Sequence, residues 1–129
     1  MILGLGLDVV EISRISRSWE RFGVHFAQHI LHIGERAQFE HLRKTKIQFL
    51  ASRFAAKEAA VKALGTGFSN GISLMDIAVE SLPGGKPELR LYGKARERFD
   101  HIGANRMHIS LTHGKETVAA VVVFECIPD

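Results

Sequence analysis

The sequence predicts one α+β domain organised around a long helix. Three observations predict it. The chain opens on an alternating apolar run, MILGLGLDVV. Its middle holds an alanine-rich stretch, RFAAKEAAVKALGTG, at residues 53–67. It closes on two further alternating runs, MHISLT and TVAAVVVFE, around HGKE. Period-two runs at both ends and a helical period between them define the class. No internal repeat, low-complexity segment or linker divides the chain, so residues 1–129 are expected to form a single domain.

The elements follow in order. Residues 2–10 read as a strand, with Leu3, Leu5, Leu7 and Val9 alternating onto one face and Gly4, Gly6 and Asp8 on the other. Two glycines beside an aspartate leave room for something to approach the backbone closely. Ser13 or Ser16 caps the next helix, which is expected to reach about residue 31. Its apolar stripe is Ile15, Trp19, Phe22, Phe26 and Ile30. Arg14, Arg17, Arg21 and His25 recur at steps of three and four and form a basic row on another side. Beyond Gly34, a short helix is expected over 35–43 and the long helix over 47–64, with Gly65 as its C′ residue. TGFSNG reads as a loop. Residues 72–82 and 88–92 read as strands around the turn PGGKP. GKARERFDHIG reads as a short helix ending at Gly103, and residues 107–112 and 117–125 as a closing hairpin.

Composition narrows the function classes. Hydrophobic residues are 46% and charged residues 24%, which excludes a disordered chain. A chain this short has little room for a deep cleft, so a site between subunits is in view. The single cysteine, Cys126, excludes an internal disulfide and a multi-cysteine metal site. The opening run lacks a basic segment and is interrupted by Asp8, so it does not read as a signal peptide. VAAVVVF is too short to span a bilayer. A cytoplasmic setting without membrane attachment is expected. The formal charge of +3 and pI near 9.3 suit an anionic partner. A non-enzymatic module gripping nucleotide or nucleic acid is the rival class. No nucleic-acid motif or aromatic-interleaved basic surface supports it. His25, His29, His32, His41 and His101 show no zinc-ligand spacing with cysteine.

The alanine-rich helix poses the functional question. Eleven of the sixteen residues 49–64 are apolar and surround the helix almost completely, which is the pattern of a helix enclosed by protein. Yet Arg53, Lys57, Glu58 and Lys62 sit within it. Arg53 with Lys57, and Glu58 with Lys62, are each four apart and share a face. A surface pair at this spacing is worth a few tenths of a kcal/mol, but buried charge requires a partner. A polyanion together with a metal ion could pair with all four groups. Gly65 lies at the helix C-terminus, where the dipole repels anions, so GTG is not a phosphate-cradling loop, and Lys62 and Arg53 would have to supply the attraction.

Taken in order, GLGLDVVEISRI, FLASRFAAKEAAVKALGTG, GKPELRL and MHISLTHGKETVAAVVVFE closely resemble the short bacterial type of holo-acyl-carrier-protein synthase, a 4′-phosphopantetheinyl transferase, over residues 1–125, with a short tail at 126–129. The resemblance implies an antiparallel sheet packed against a long central helix and additional helices. It implies transfer of 4′-phosphopantetheine from coenzyme A to a serine of an apo acyl carrier protein, with release of adenosine 3′,5′-bisphosphate. It also implies dependence on Mg²⁺, with Mn²⁺ as an alternative ion, and a homotrimer with sites at the subunit interfaces. By position it implies Asp8 and Glu58 as metal carboxylates, and Glu58 and Lys62 as catalytic groups, with Lys62 beside the pyrophosphate. Arg53 and His108 fall at positions associated with the nucleotide phosphates. Lys86 and Pro87 lie in a loop near the adenine, and Gly65, Ser110 and Thr112 are further coenzyme contacts. The proton acceptor stays open between Glu58 and a metal-bound water. Acyl carrier proteins are acidic, so Arg14, Arg17 and Arg21 suit docking, with Phe22 and Phe54 as apolar anchors.

Overall fold

The computed structural model describes residues 1–128; Asp129, the last residue of the expected tail, lies outside the described residues. The chain runs β1 (Ile2–Glu11), α1 (Ile12–Phe22), α2 (Val24–Ile30), α3 (Ile33–His41), α4 (Lys46–Leu64), a 3₁₀ turn (Leu74–Asp76), β2 (Ile77–Ser81), β3 (Pro87–Leu91), α5 (Gly93–His101), β4 (Arg106–His113) and β5 (Thr117–Glu125). The class is α+β, as the sequence predicts. The strands divide into two antiparallel sheets: a three-stranded sheet in the order β1-β5-β4, and the separate hairpin β2-β3.

α4 is the centre of the fold. Leu50, Ala51, Ala55, Ala56, Ala59 and Ala60 have no exposed surface. The helix ends at Gly65, whose φ of 80° is left-handed and whose N–H donates to the Val61 and Lys62 carbonyls at 3.1 Å. Against it lies the inner face of the larger sheet, with Val10 of β1 and Val118, Ala120, Val122 and Phe124 of β5 buried. Phe124 meets Phe99 of α5 edge to face at 5.1 Å.

The glycines of β1 permit the closeness of this contact. A Cβ at Gly4 would stand 2.0 Å from the Ala63 carbonyl oxygen, and one at Gly6 would stand 1.8 Å from that of Ala59. Helix backbone therefore lies almost on strand backbone, and the next inward-facing residue, Asp8, is delivered beside the helix.

Three local expectations are corrected. The first helix does not run to residue 31: Gly23, at φ 56°, ends α1 and starts α2, so the apolar stripe is cut and Phe22 is left exposed. Neither Ser13 nor Ser16 caps α1; both lie inside it, and its N-cap residue is Glu11. The strand expected from residue 72 begins at Ile77, because Ser73 and Asp76 form a capping box around the 3₁₀ turn.

Candidate active site

Three side chains converge where α4 crosses β1. Lys62 Nζ donates to Asp8 Oδ1 at 3.0 Å and to the Leu7 carbonyl at 2.9 Å. The Lys62 side chain is 51% exposed and that of Asp8 16%, so this pair stands at the edge of solvent, not in the core. Glu58, one turn back on α4, is half-buried. Burial raises its carboxyl above the ordinary range, and the Asp8 carboxylate raises it further; Lys62 and Arg14 oppose both. The two carboxylates thus feel each other's charge. A divalent cation would relieve that repulsion. Magnesium needs only one or two carboxylates besides water and phosphate oxygens, so the donor set fits such an ion. Among the described residues no group of three or more His, Cys, Asp or Glu side chains forms a metal cluster. A pocket of about 530 Å³ opens beside Glu58, with Phe68, Ile72, Leu74 and Met75 as its apolar lining.

α1 borders this site. The Arg14 guanidinium lies 5.9 Å from the Phe54 ring centroid on α4, and Arg21 lies 5.1 Å from that of Phe22. Arg14, Arg17, Arg21 and Phe22 are exposed and Phe54 is half-buried, and of the basic row it is Arg14 whose charge acts on Glu58.

The other face of α4 answers the charge question differently. Lys57 is wholly buried, with Nζ 2.7 Å from Glu35 Oε1 and also donating to the Ile30 carbonyl. Arg53 is 6% exposed, lies 3.6 Å from Glu35 through Nε, stacks at 4.2 Å over Phe49 and donates to Ser81 Oγ at 3.3 Å. Burial lowers the proton affinity of both cations, and Glu35 holds it up. Arg53, expected at the nucleotide phosphates, is thus held from inside the chain by Glu35 and Ser81, while its Nε keeps no hydrogen-bond partner among the described residues. Sequence reasoning missed Glu35. The available signal was the pair of apolar-flanked cations, which demanded a counter-ion, and the capping-box spacing from His32 to Glu35.

The remaining candidates fall elsewhere. Gly65 serves as the helix cap. Lys86 is exposed at the β2-β3 tip and Pro87 begins β3. His108, Ser110 and Thr112 project from β4 on the outer face of the three-stranded sheet, opposite the face that carries Asp8, and His108 Nε2 lies 2.6 Å from Glu125 Oε1. No helix among the described residues is long and apolar enough to cross a membrane.

A helix lysine and two carboxylates, one of them lining an open pocket, form a charged site suited to an enzyme that handles phosphate groups. The 4′-phosphopantetheinyl transferase superfamily matches residues 4–122. A holo-[acyl-carrier-protein] synthase of Nitratidesulfovibrio vulgaris (strain DP4) is 54% identical, over 97% of this chain and 99% of that protein. The crystal structure of the Neisseria meningitidis holo-[acyl-carrier-protein] synthase superposes with a TM-score of 0.87 at 40% identity, over 97% of this chain and 99% of that one. The Bacillus anthracis synthase, in complex with CoA (3′,5′-ADP), superposes at 0.82 with 35% identity, over 98% and 99% of the two chains. The chain belongs to the 4′-phosphopantetheinyl transferase superfamily, among its holo-[acyl-carrier-protein] synthases.

Proposed function

We propose that this transferase moves 4′-phosphopantetheine from coenzyme A to a serine of an acidic apo acyl carrier protein in the cytoplasm, releasing adenosine 3′,5′-bisphosphate, with Mg²⁺ required. The observation that carries the reading is the meeting of Asp8, Glu58 and Lys62 at the helix–strand crossing. The serine oxygen forms a bond to the β-phosphorus of coenzyme A. The bond from that phosphorus to the bridging oxygen breaks, the bisphosphate leaves with the electron pair, and the serine proton passes to Glu58 or to a water molecule. Asp8 and Glu58 would hold the metal. When bound, Mg²⁺ neutralises charge on the pyrophosphate oxygens. Lys62 places its ammonium where charge grows on the departing phosphate. The apolar pocket beside Glu58 suits the pantetheine arm, and the Arg14–Arg17–Arg21 row suits the acidic carrier.

A homotrimer is part of the proposal. Leu5, Leu7 and Val9 are 64%, 60% and 59% exposed on the outer sheet face, continuous with half-buried Val121 and Val123 of β5. An apolar face of this kind marks an interaction surface. His108, Ser110 and Thr112 share it, so they would face the site of a neighbouring copy, with Lys86 and Pro87 at the adenine end of the coenzyme.

Mass spectrometry of an apo carrier protein incubated with the enzyme, coenzyme A and Mg²⁺ tests the function. The carrier should gain one phosphopantetheine on serine; an unmodified carrier sinks the reading. Sedimentation tests the assembly, and a fully active monomer contradicts it.

A further inference from the structure

We propose that Glu35 is a positioning residue for the transfer: by gripping Lys57 from inside the fold, it sets the rotation of α4 about its axis and so the placement of Glu58 and Lys62 beside Asp8. The inference deepens the proposed function and rests on it.

One buried ion pair ties four elements together. Glu35 Oε1 accepts from the His32 N–H at 2.9 Å and from Lys57 Nζ at 2.7 Å, and Oε2 accepts from the Val79 N–H at 2.9 Å. Lys57 also donates to the Ile30 carbonyl. The end of α2, the start of α3, α4 and β2 are therefore held at one point. Stability alone is a weak reason for such a cluster, because buried ion pairs are often replaced by apolar residues of similar volume without loss.

α4 has a specific need for the grip. Much of its buried surface is alanine, which offers little relief to key into a neighbouring groove. Its contact with Gly4 and Gly6 is backbone on backbone, which sets spacing more firmly than rotation. A carboxylate about 6 Å from a helix axis moves about 1 Å for each ~10° of rotation. A displacement of that size at a reacting centre costs about 10²-fold in rate. Lys57 and Glu58 are consecutive, so the orientation imposed on one passes to the other through a single peptide unit.

The test uses the full-length protein with apo carrier, coenzyme A and Mg²⁺. Glu35→Gln/Lys57→Met removes the charges of the grip, leaves Arg53 without its carboxylate, and keeps an acceptor for the Val79 N–H. Its kcat per folded molecule is expected to fall about tenfold or more, with the carrier KM within about twofold of wild type. Should the double variant not fold, Glu35→Gln alone, isosteric and read where circular dichroism shows it folded, is expected to give the same split. Wild-type turnover per folded molecule, or a loss confined to the carrier KM, overturns the inference and leaves Glu35 as fold support. A wild-type protein that transfers nothing removes the functional reading itself, and this inference with it.

Discussion

α4 carries two pairs of charges at the same four-residue spacing, and the fold treats them in opposite ways. Arg53 and Lys57 point inward and share a buried carboxylate that the chain itself supplies. Glu58 and Lys62 point to the edge of solvent. There Lys62 leans on Asp8, and Glu58 is left near a like charge. Spacing along a helix therefore does not distinguish a structural charge from a functional one. The distinction is burial: the inner cations share a carboxylate inside the chain, although Arg53 Nε keeps no hydrogen-bond partner there, whereas the outer pair stands at the edge of solvent.

The outer half should break first in function. Asp8→Ala or Glu58→Ala is expected to cut transfer by about 10²–10³-fold or more while leaving the melting temperature close to wild type, since neither side chain belongs to the buried cluster. Chelation should abolish turnover, and Mg²⁺ or Mn²⁺ should restore it. Full activity of either variant in metal-free buffer refutes the metal assignment.

The inner half should break first in stability. Lys57→Met leaves Glu35 buried without its closest cation and should cost about 3–5 kcal/mol by denaturant unfolding. Lys62→Ala should cost about 1 kcal/mol or less, because its pair with Asp8 is solvent-screened, yet it should lower kcat strongly. Reversed magnitudes would collapse the distinction between the two halves.

Between these halves lies α1. Arg14→Glu/Arg21→Glu should raise the carrier KM by about tenfold or more and leave that for coenzyme A nearly unchanged. Added salt should weaken the wild-type reaction in the same direction. If only coenzyme A binding suffers, the row belongs to the nucleotide.

The smallest effect concerns the imbalance at Glu58. A carboxyl raised in the folded state binds its proton more tightly there than in the unfolded chain. Its ionisation therefore costs stability, a cost absent below the ordinary value near 4.5 and fully present above the raised one. Glu58→Gln should consequently melt slightly higher than wild type at neutral pH, and the gap should close as the pH falls through the carboxylate range. A gap that widens towards acid contradicts the account.

Much of this was legible because it rests on local rules. Gly65 follows a helical period and ends α4 in the left-handed conformation that the sequence predicts. Gly4 and Gly6 announced a close neighbour, and α4 is that neighbour. Asp8, Glu58 and Lys62 were nominated by resemblance, and the structure brings them together. What escaped depends on tertiary context. Glu35 sits on a short helix whose own period does not mark it as buried, and its cationic and β2 partners are distant in sequence. Gly23 escaped because the apolar spacing from Trp19 through Phe26 continues across it, while its positive φ turns the chain. The separate β2-β3 sheet escaped because hairpins show pairing within themselves, not which sheet they join.

The outer face of the larger sheet has a consequence for inheritance. If His108 of one copy completes the site that Glu58 of another begins, a defect in either residue is confined to one half of a shared unit. Two inactive variants, Glu58→Ala and His108→Ala, unfolded and refolded together should yield mixed trimers in which some sites contain both intact halves, and activity should reappear where neither parent has any. A chain broken at both positions would instead spoil both sites it touches in such a trimer, so beside a normal copy it would lower activity further than either single defect.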